Sequence, residues 1–290
     1  MVTRVNATLA HPGLSGDLLE HQVQLACLLE VSAAKPGNIT PAHDFADATY
    51  ADMVRSALAL GSVFEHRRVL QRSVGELIAD GVEATAHVAR ANTNLGIVLL
   101  FAPLARAAVT REGNETLRSA VQRILARLDV ADGVAAFAAI ASTQPGGLGE
   151  APEHDVRSPA RVSLRAAMAA AAHRDSIASE YATGYATVFD TGLPLLTNAL
   201  GKGLSTLDAI VSLYLGLLSS HPDTLIARKA GDAAAQEVSE AAREVRAGTR
   251  SLADFDASLR ASGNRLNPGT TADLVAATLL AGLLDGLRLP

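Results

Sequence analysis

The sequence predicts an all-α protein, a single globular helical domain of about ten or more helices. Three observations predict it. Apolar residues make up 49% of the 290 residues while aromatics are only 3% and Trp is absent, so Ala, Leu and Val must fill the core. Ala and Leu favour helix over strand. Apolar positions recur at helical spacing along most of the chain, and no β-alternation runs longer than a few residues.

The elements follow in order. Residues 1–15 read as a loose leader and 16–290 as one all-helical domain. The first amphipathic stretch runs from near Asp17 to about Ala34, with Leu19, Val23, Ala26 and then Glu30 on one face. A carboxylate thus ends an apolar stripe, which is costly unless a cation, metal or donor set meets it. Lys35, beside the Pro36-Gly37 turn, is a candidate partner; a Glu exposed at a fraying helix end is the alternative. Met53, Ala57, Leu60 and Phe64 mark the next helix, with Asp47 and Thr49 where its cap would lie. Helix continues through 67–91, and Ala91-Asn92-Thr93-Asn94-Leu95-Gly96 then punctuates the chain. The run from Leu95 to Val109 is apolar nearly all round, which predicts a central helix.

Residues 114–142 read as two helices, followed by a Gly-rich loop, Gln144 to Glu150, and an acidic stretch to Asp155. One long helix is expected from about Pro159 to Asp190, with Asp175 interrupting a row of Leu164, Met168, Ala171, Ala178, Ala182, Tyr185 and Phe189. Helices at roughly 192–220, 223–247 and 252–262 follow. Asn267-Pro268-Gly269-Thr270-Thr271-Ala272-Asp273 opens the last one, apolar to Leu287.

Composition excludes several classes. A net charge of −5 with no basic stripe argues against a nucleic-acid partner. The longest charge-free runs are broken by proline and glycine, so no membrane span is expected. Cys27, the only cysteine, permits neither an intrachain disulfide nor a cysteine zinc cluster, and reads as a small core residue. No basic stretch leads into an apolar run at the start, so a cytoplasmic location is expected. A Walker loop, a dinucleotide fingerprint and a serine elbow are all missing from the sequence.

Several loops share a chemistry. Asn92, Thr93, Asn94 and Gly96 stand at a helix start, where free amides make an anion seat, or where ordinary capping suffices. Thr270, Thr271 and Asp273 repeat the pattern, as do Asp223 and Thr224, with Arg228 and Lys229 one turn further on. Two adjacent cations suit a polyphosphate; a solvated face is the alternative. Glu30, Asp44, Asp47, Glu150, Asp155 and Asp175 supply the oxygen ligands that magnesium prefers, at no diagnostic spacing. His43 and His154 each lie beside an acid.

Five segments together resemble a known family. Leu28-Leu29-Glu30-Val31-Ser32 and Lys35-Pro36-Gly37-Asn38, with His43, Asp44 and Asp47 downstream, resemble the opening motif of the triphosphoribosyl-dephospho-CoA synthases. Asn92-Thr93-Asn94-Leu95-Gly96, Gly147-Leu148-Gly149-Glu150-Ala151, Arg228-Lys229-Ala230-Gly231 and Pro268 to Leu274 are similar to its later motifs, in order. The resemblance implies an all-helical transferase that moves the triphosphoribosyl group of ATP to a hydroxyl of dephospho-CoA or a related coenzyme-like acceptor, releasing adenine. It implies Glu30, Asp47 and Glu150 as catalytic acids. Lys35, Asn38, His43, Asn92, Thr93, Asn94, Gly96, Arg228, Lys229, Thr270 and Thr271 are implied as nucleotide ligands, and Asp44, Asp47 and Asp273 as ligands to magnesium. Where the synthases read Asn-Thr-His-Lys-Gly, this chain has Asn94 and Leu95, which resembles a branch of relatives and leaves the acceptor open between dephospho-CoA and another coenzyme-like alcohol. A magnesium-dependent N-glycosyl hydrolase and a non-catalytic nucleotide-binding relative are the competing readings. ATP and the acceptor are the expected partners, with a homodimer left open.

Overall fold

The structure, a computed structural model, describes residues 16–89, 94–143 and 160–289. These form fifteen α-helices and one π-helical turn; among the described residues no strand occurs beyond an isolated Thr40–His43 bridge. The expected leader, 1–15, lies outside them.

The first helix, α1 (Gly16–Ser32), buries Leu19, Val23, Ala26 and Cys27. The second, α2 (Tyr50–Val63), starts at a capping box in which Thr49 and Asp52 bond each other's backbone, so Asp52 rather than Asp47 partners the cap. The expected helix 67–91 is two helices, α3 (His66–Gln71) and α4 (Val74–Ala86). Arg72 is extended at the break, and Ser73 with Glu76 forms a second capping box that restarts the helix. Next come α5 (Leu95–Val109), α6 (Leu117–Arg127) and α7 (Val130–Thr143).

The single helix expected over 159–190 is also broken, into α8 (Leu164–Ala171), α9 (Ser176–Thr183) and a π-helical turn, Thr187–Gly192. Asp175 is the reason for the first break. Its side chain accepts from the amides of Ile177 and Ala178, so it caps α9 instead of interrupting a core-facing row. The second break follows from two consecutive left-handed residues, Gly184 (φ 71) and Tyr185 (φ 62). Tyr185 is the one non-glycine residue with positive φ among the described residues, a conformation that costs energy for a bulky side chain.

The chain continues through α10 (Leu193–Gly201), α11 (Thr206–Ser220), α12 (Thr224–Ala230), α13 (Asp232–Ala247), α14 (Leu252–Arg260) and α15 (Gly269–Leu284). The final helix is buried along nearly its whole length and packs on α1, α5 and α11. With α5, likewise buried almost all round, it forms the centre around which the amphipathic helices are arranged. α5 carries Pro103, which has no amide to donate to Leu99 four residues back. The hydroxyl of buried Tyr181 donates to that orphaned Leu99 carbonyl at 2.6 Å, and Tyr185 donates to the Leu100 carbonyl at 2.8 Å.

Among the described residues no helix is long and apolar enough to cross a membrane.

Candidate active site

Polar residues enter this apolar interior where helix ends meet. The end of α1 brings Glu30, which is only 4% exposed. The chain then turns back, and Lys35 places its ammonium 2.9 Å from Glu30 Oε1, with the Lys35 side chain fully buried. Lys35 Nζ also donates to the carbonyls of Glu30 and Ala33. In this structure its donors are taken up inside the protein, which makes Lys35 the counter-ion of Glu30.

The following turn is pinned to the second half of the chain. Gly37 has φ 73, and a side chain there would come within 2.8 Å of Leu259 Cδ1, so only glycine fits. The Gly37 amide donates to Asp256 at 2.7 Å, and Arg260 donates to the Asn38 carbonyl at 2.7 Å. Asn38 is buried; its amide donates to Tyr214 Oη at 3.1 Å, and Tyr214 in turn donates to the Pro36 carbonyl at 2.7 Å. Asn38 therefore shapes the turn.

A second knot joins α12 to α15. Buried Asp223 caps α12, accepting from Leu225 and Ile226, while its other oxygen accepts from the amide and hydroxyl of Thr271 at 2.7 and 2.8 Å. Burial raises its carboxyl above the usual range, and these donors oppose the rise. Thr224 donates to Thr270 at 3.3 Å. Thr270 and Thr271 thus lie at the start of the last helix, where the motif put them, and tie it to α12.

The centre is Asp273, one turn into α15. A Cβ on Gly96 would fall 2.0 Å from Asp273 Oδ2, so the carboxyl rests directly on the first turn of α5. The positive end of that helix dipole favours an anion. Yet a fraction of the residue remains accessible while its carboxyl is enclosed by protein. Burial, with the fields of Glu30, Asp223 and Asp175, holds it well above the ordinary carboxylate range, and Arg228 pulls it back down. α1 and α15 pack side by side here, and burial likewise pushes the Cys27 thiol up, with Glu30 and Asp273 adding to the effect. Asn94, beside that first turn and 2% exposed, has neither amide atom hydrogen-bonded to a described residue. Such a group is expensive to leave unpaired.

Arg228 reaches this centre through a 2.5 Å ion pair with Asp175. Arg228 and Lys229 lie in the last turn of α12, not near its start, because α12 is short and Gly231, at φ 96, ends it. Lys229 contacts the Asn264 carbonyl at 3.5 Å, and Asn264 donates to Asp47 at 3.3 Å. Asp47, Asp44 and His43 are exposed, and Asp44 accepts from the Tyr50 amide at 2.6 Å at the start of α2. Asp44, Asp47 and Asp273 do not form a three-carboxylate metal set; among the described residues no three His, Cys, Asp or Glu side chains do. Asn92, Thr93, Glu150, His154 and Asp155 lie outside the described residues. The structure thus brings together Glu30, Lys35, Asn94, Gly96, Arg228, Thr270, Thr271 and Asp273.

Sequence reasoning missed Tyr214, Asp256 and Glu180. Glu180 is fully buried and accepts from the amides of Thr187 and Val188 at 3.1 Å each, holding the start of the π-helical turn. Burial raises its carboxyl above the usual range. The Asp256–Arg260 pair at helical spacing was the available signal for that anchor; the other two carried none.

An all-helical fold with charged groups from three distant segments gathered around one enclosed carboxyl defines a helical enzyme built around a polar centre. A family model for ATP:dephospho-CoA triphosphoribosyl transferase, CitG, matches residues 17–289, and the chain belongs to that family. A solved structure described as a candidate triphosphoribosyl-dephospho-CoA synthase from Archaeoglobus fulgidus is similar. It is 25% identical, with a TM-score of 0.65, over 80% of this chain and 99% of that one. No curated protein matches the chain significantly. The protein is a triphosphoribosyl transferase by family, as its five sequence motifs imply.

Proposed function

We propose that triphosphoribosyl transfer from ATP takes place at the Asp273 centre, with dephospho-CoA or a related coenzyme-like alcohol as acceptor. The observation that carries this reading is the convergence of Glu30 with Lys35, Gly96 with Asp273, and Asp175 with Arg228 on one region of the interior. In the reaction the glycosidic bond from C1′ of ATP to adenine breaks, and adenine leaves with the electron pair and takes up a proton. The acceptor oxygen bonds to C1′ and its proton passes to a carboxylate. Positive charge develops on the sugar, and fixed carboxylates beside it lower the barrier. Glu30, held rigid by Lys35, is the group we assign to that task. Arg228, with Lys229 and the amides at the start of α5, faces the triphosphate.

Magnesium fits this centre in a limited way. Among the described residues the charges of Glu30, Asp223 and Asp175 bear on the Asp273 carboxyl and Arg228 opposes them, so a hard divalent cation would relieve it. Magnesium bound with a nucleotide needs only one or two protein carboxylates, the phosphates and water supplying the rest. Asp273 is the residue we assign; when bound, the ion would neutralise phosphate charge. We place the enzyme in the cytoplasm, with its nucleotide substrate.

The test is chromatography of the purified protein with ATP, magnesium and dephospho-CoA. Adenine appearing only when acceptor is present supports the reading. Adenine without acceptor would indicate a hydrolase. ADP or AMP with no adenine, across several coenzyme-like acceptors, would overturn it.

A further inference from the structure

A depression of about 210 Å³ opens beside the Asp273 centre, lined by residues of α9, α11, α12 and the π-helical turn. It is smaller than the roughly 300–1,000 Å³ pockets that enclose whole drug-sized ligands, so it takes one moiety of a larger molecule. Its wall shares Asp175 with the ion pair to Arg228, and Leu274 is the neighbour of Asp273. The depression thus lies next to the centre proposed to hold the sugar and phosphates, with Asp175 common to both.

The lining has a defined chemistry. Ser176 and Ser179, one turn apart on α9, present hydroxyls on the same face. His173 and His221 contribute flat imidazoles, and Ala172, Pro222 and Leu274 contribute apolar surface. Hydroxyls and a carboxylate suit ribose hydroxyls and the edges of a purine, and flat rings with apolar atoms suit its face. A carboxylate in the wall disfavours a phosphate there. The surrounding backbone is over-determined. The strained Tyr185 and the buried Glu180 carboxylate together fix the π-helical turn that carries Thr187 into the lining. Such turns and strained residues recur at functional sites.

From these features we infer that the depression seats an adenosine moiety. This rests on the transferase reading, under which two ligands carry one: ATP and dephospho-CoA. The phosphates of either extend from the depression past Asp175 and Arg228 toward Asp273.

The experiment uses calorimetric titration of the full chain with ATP, dephospho-CoA and inorganic triphosphate, each alone with magnesium. The variants are Ser179→Leu, which fills the depression, and His221→Ala, at an exposed position. Either variant is expected to weaken one adenosine-bearing ligand about tenfold while triphosphate binding stays within about twofold. Loss for ATP identifies the donor's adenosine, and loss for dephospho-CoA the acceptor's. If both variants keep their melting temperature and both ligands bind within about twofold of wild type, the inference is overturned. Should Ser179→Leu melt early, His221→Ala decides alone. Failure of the transferase reading is separate: it shows as absent adenine release in the wild-type protein.

Discussion

Replacing Lys35 by Met tests the best-defined polar contact in the protein. The perturbation removes an ammonium that is fully buried and 2.9 Å from a carboxylate itself 5% exposed at its side chain. Met keeps the length of the side chain, so the main change is electrostatic. Taking one partner from a buried pair strands the other charge, at a cost of about 3–5 kcal/mol. A domain is stable by only about 5–15 kcal/mol, so the variant should lose a large share of its stability. The double variant Lys35→Met with Glu30→Gln removes both charges and should recover part of that loss. Recovery is incomplete because the Glu30 and Ala33 carbonyls also lose their donor, at about 1–3 kcal/mol for a buried group left unsatisfied. Denaturant unfolding of the wild type, both single variants and the double closes the cycle. A Lys35→Met loss below about 1 kcal/mol, with unchanged denaturant slope, would refute the reasoning. It would return Lys35 to the role of an available phosphate ligand.

Tyr181→Phe deletes the hydroxyl that serves the Leu99 carbonyl opposite Pro103 and should cost about 1–3 kcal/mol in urea unfolding; introducing Pro103→Ala alongside should shrink that cost, because the new amide restores a donor. Gly96→Ala would be worth about 1 kcal/mol of helix propensity taken alone, but its Cβ meets Asp273 Oδ2 at 2.0 Å and displaces that carboxyl. Turnover should fall by roughly a hundredfold, as for an angstrom-scale misplacement of a reacting group, with the helical circular-dichroism signal retained. Glu180 binds its proton more tightly folded than unfolded, so folding takes up a proton once the pH exceeds about 4.3, the unfolded value. Its contribution is complete below that pH and is lost as pH rises through the raised folded value. Glu180→Gln should flatten the fall of stability over that window in melts taken at a series of pH values; an unchanged slope would dismiss the assignment.

The helical class was legible because Ala and Leu at helical spacing leave few other arrangements, and α5 and α15 were recognisable as central from apolar residues on every face. What was not legible is where two of the helices break. At Ser73 a capping box competes with a continuous apolar pattern, and at Asp175 a side chain that fits a helical row also makes a good cap; periodicity does not distinguish these cases. The left-handed Tyr185 left no trace at all, since nothing about tyrosine predicts positive φ. In the site, the sequence offered Lys35 as a candidate partner for Glu30 beside the alternative of an exposed Glu30, and the fold makes the pair. Asp273 and Gly96 stood in separate motifs, and only the fold sets one on the other. Asp44 and Asp47 are exposed while the Asp273 carboxyl is enclosed, a difference that acidic loops do not show in sequence.

The seam between the first and last helices has a consequence for how the molecule is made. Gln22 on α1 donates to the Leu283 carbonyl on α15 at 3.2 Å, a partner 261 positions later in the chain. During synthesis α1 can pack on α2 as soon as that helix follows, but the flank that faces α15 stays uncovered for nearly the whole remaining polypeptide. Until α15 arrives to fill the centre, nascent chains carry exposed apolar surface that invites chaperones.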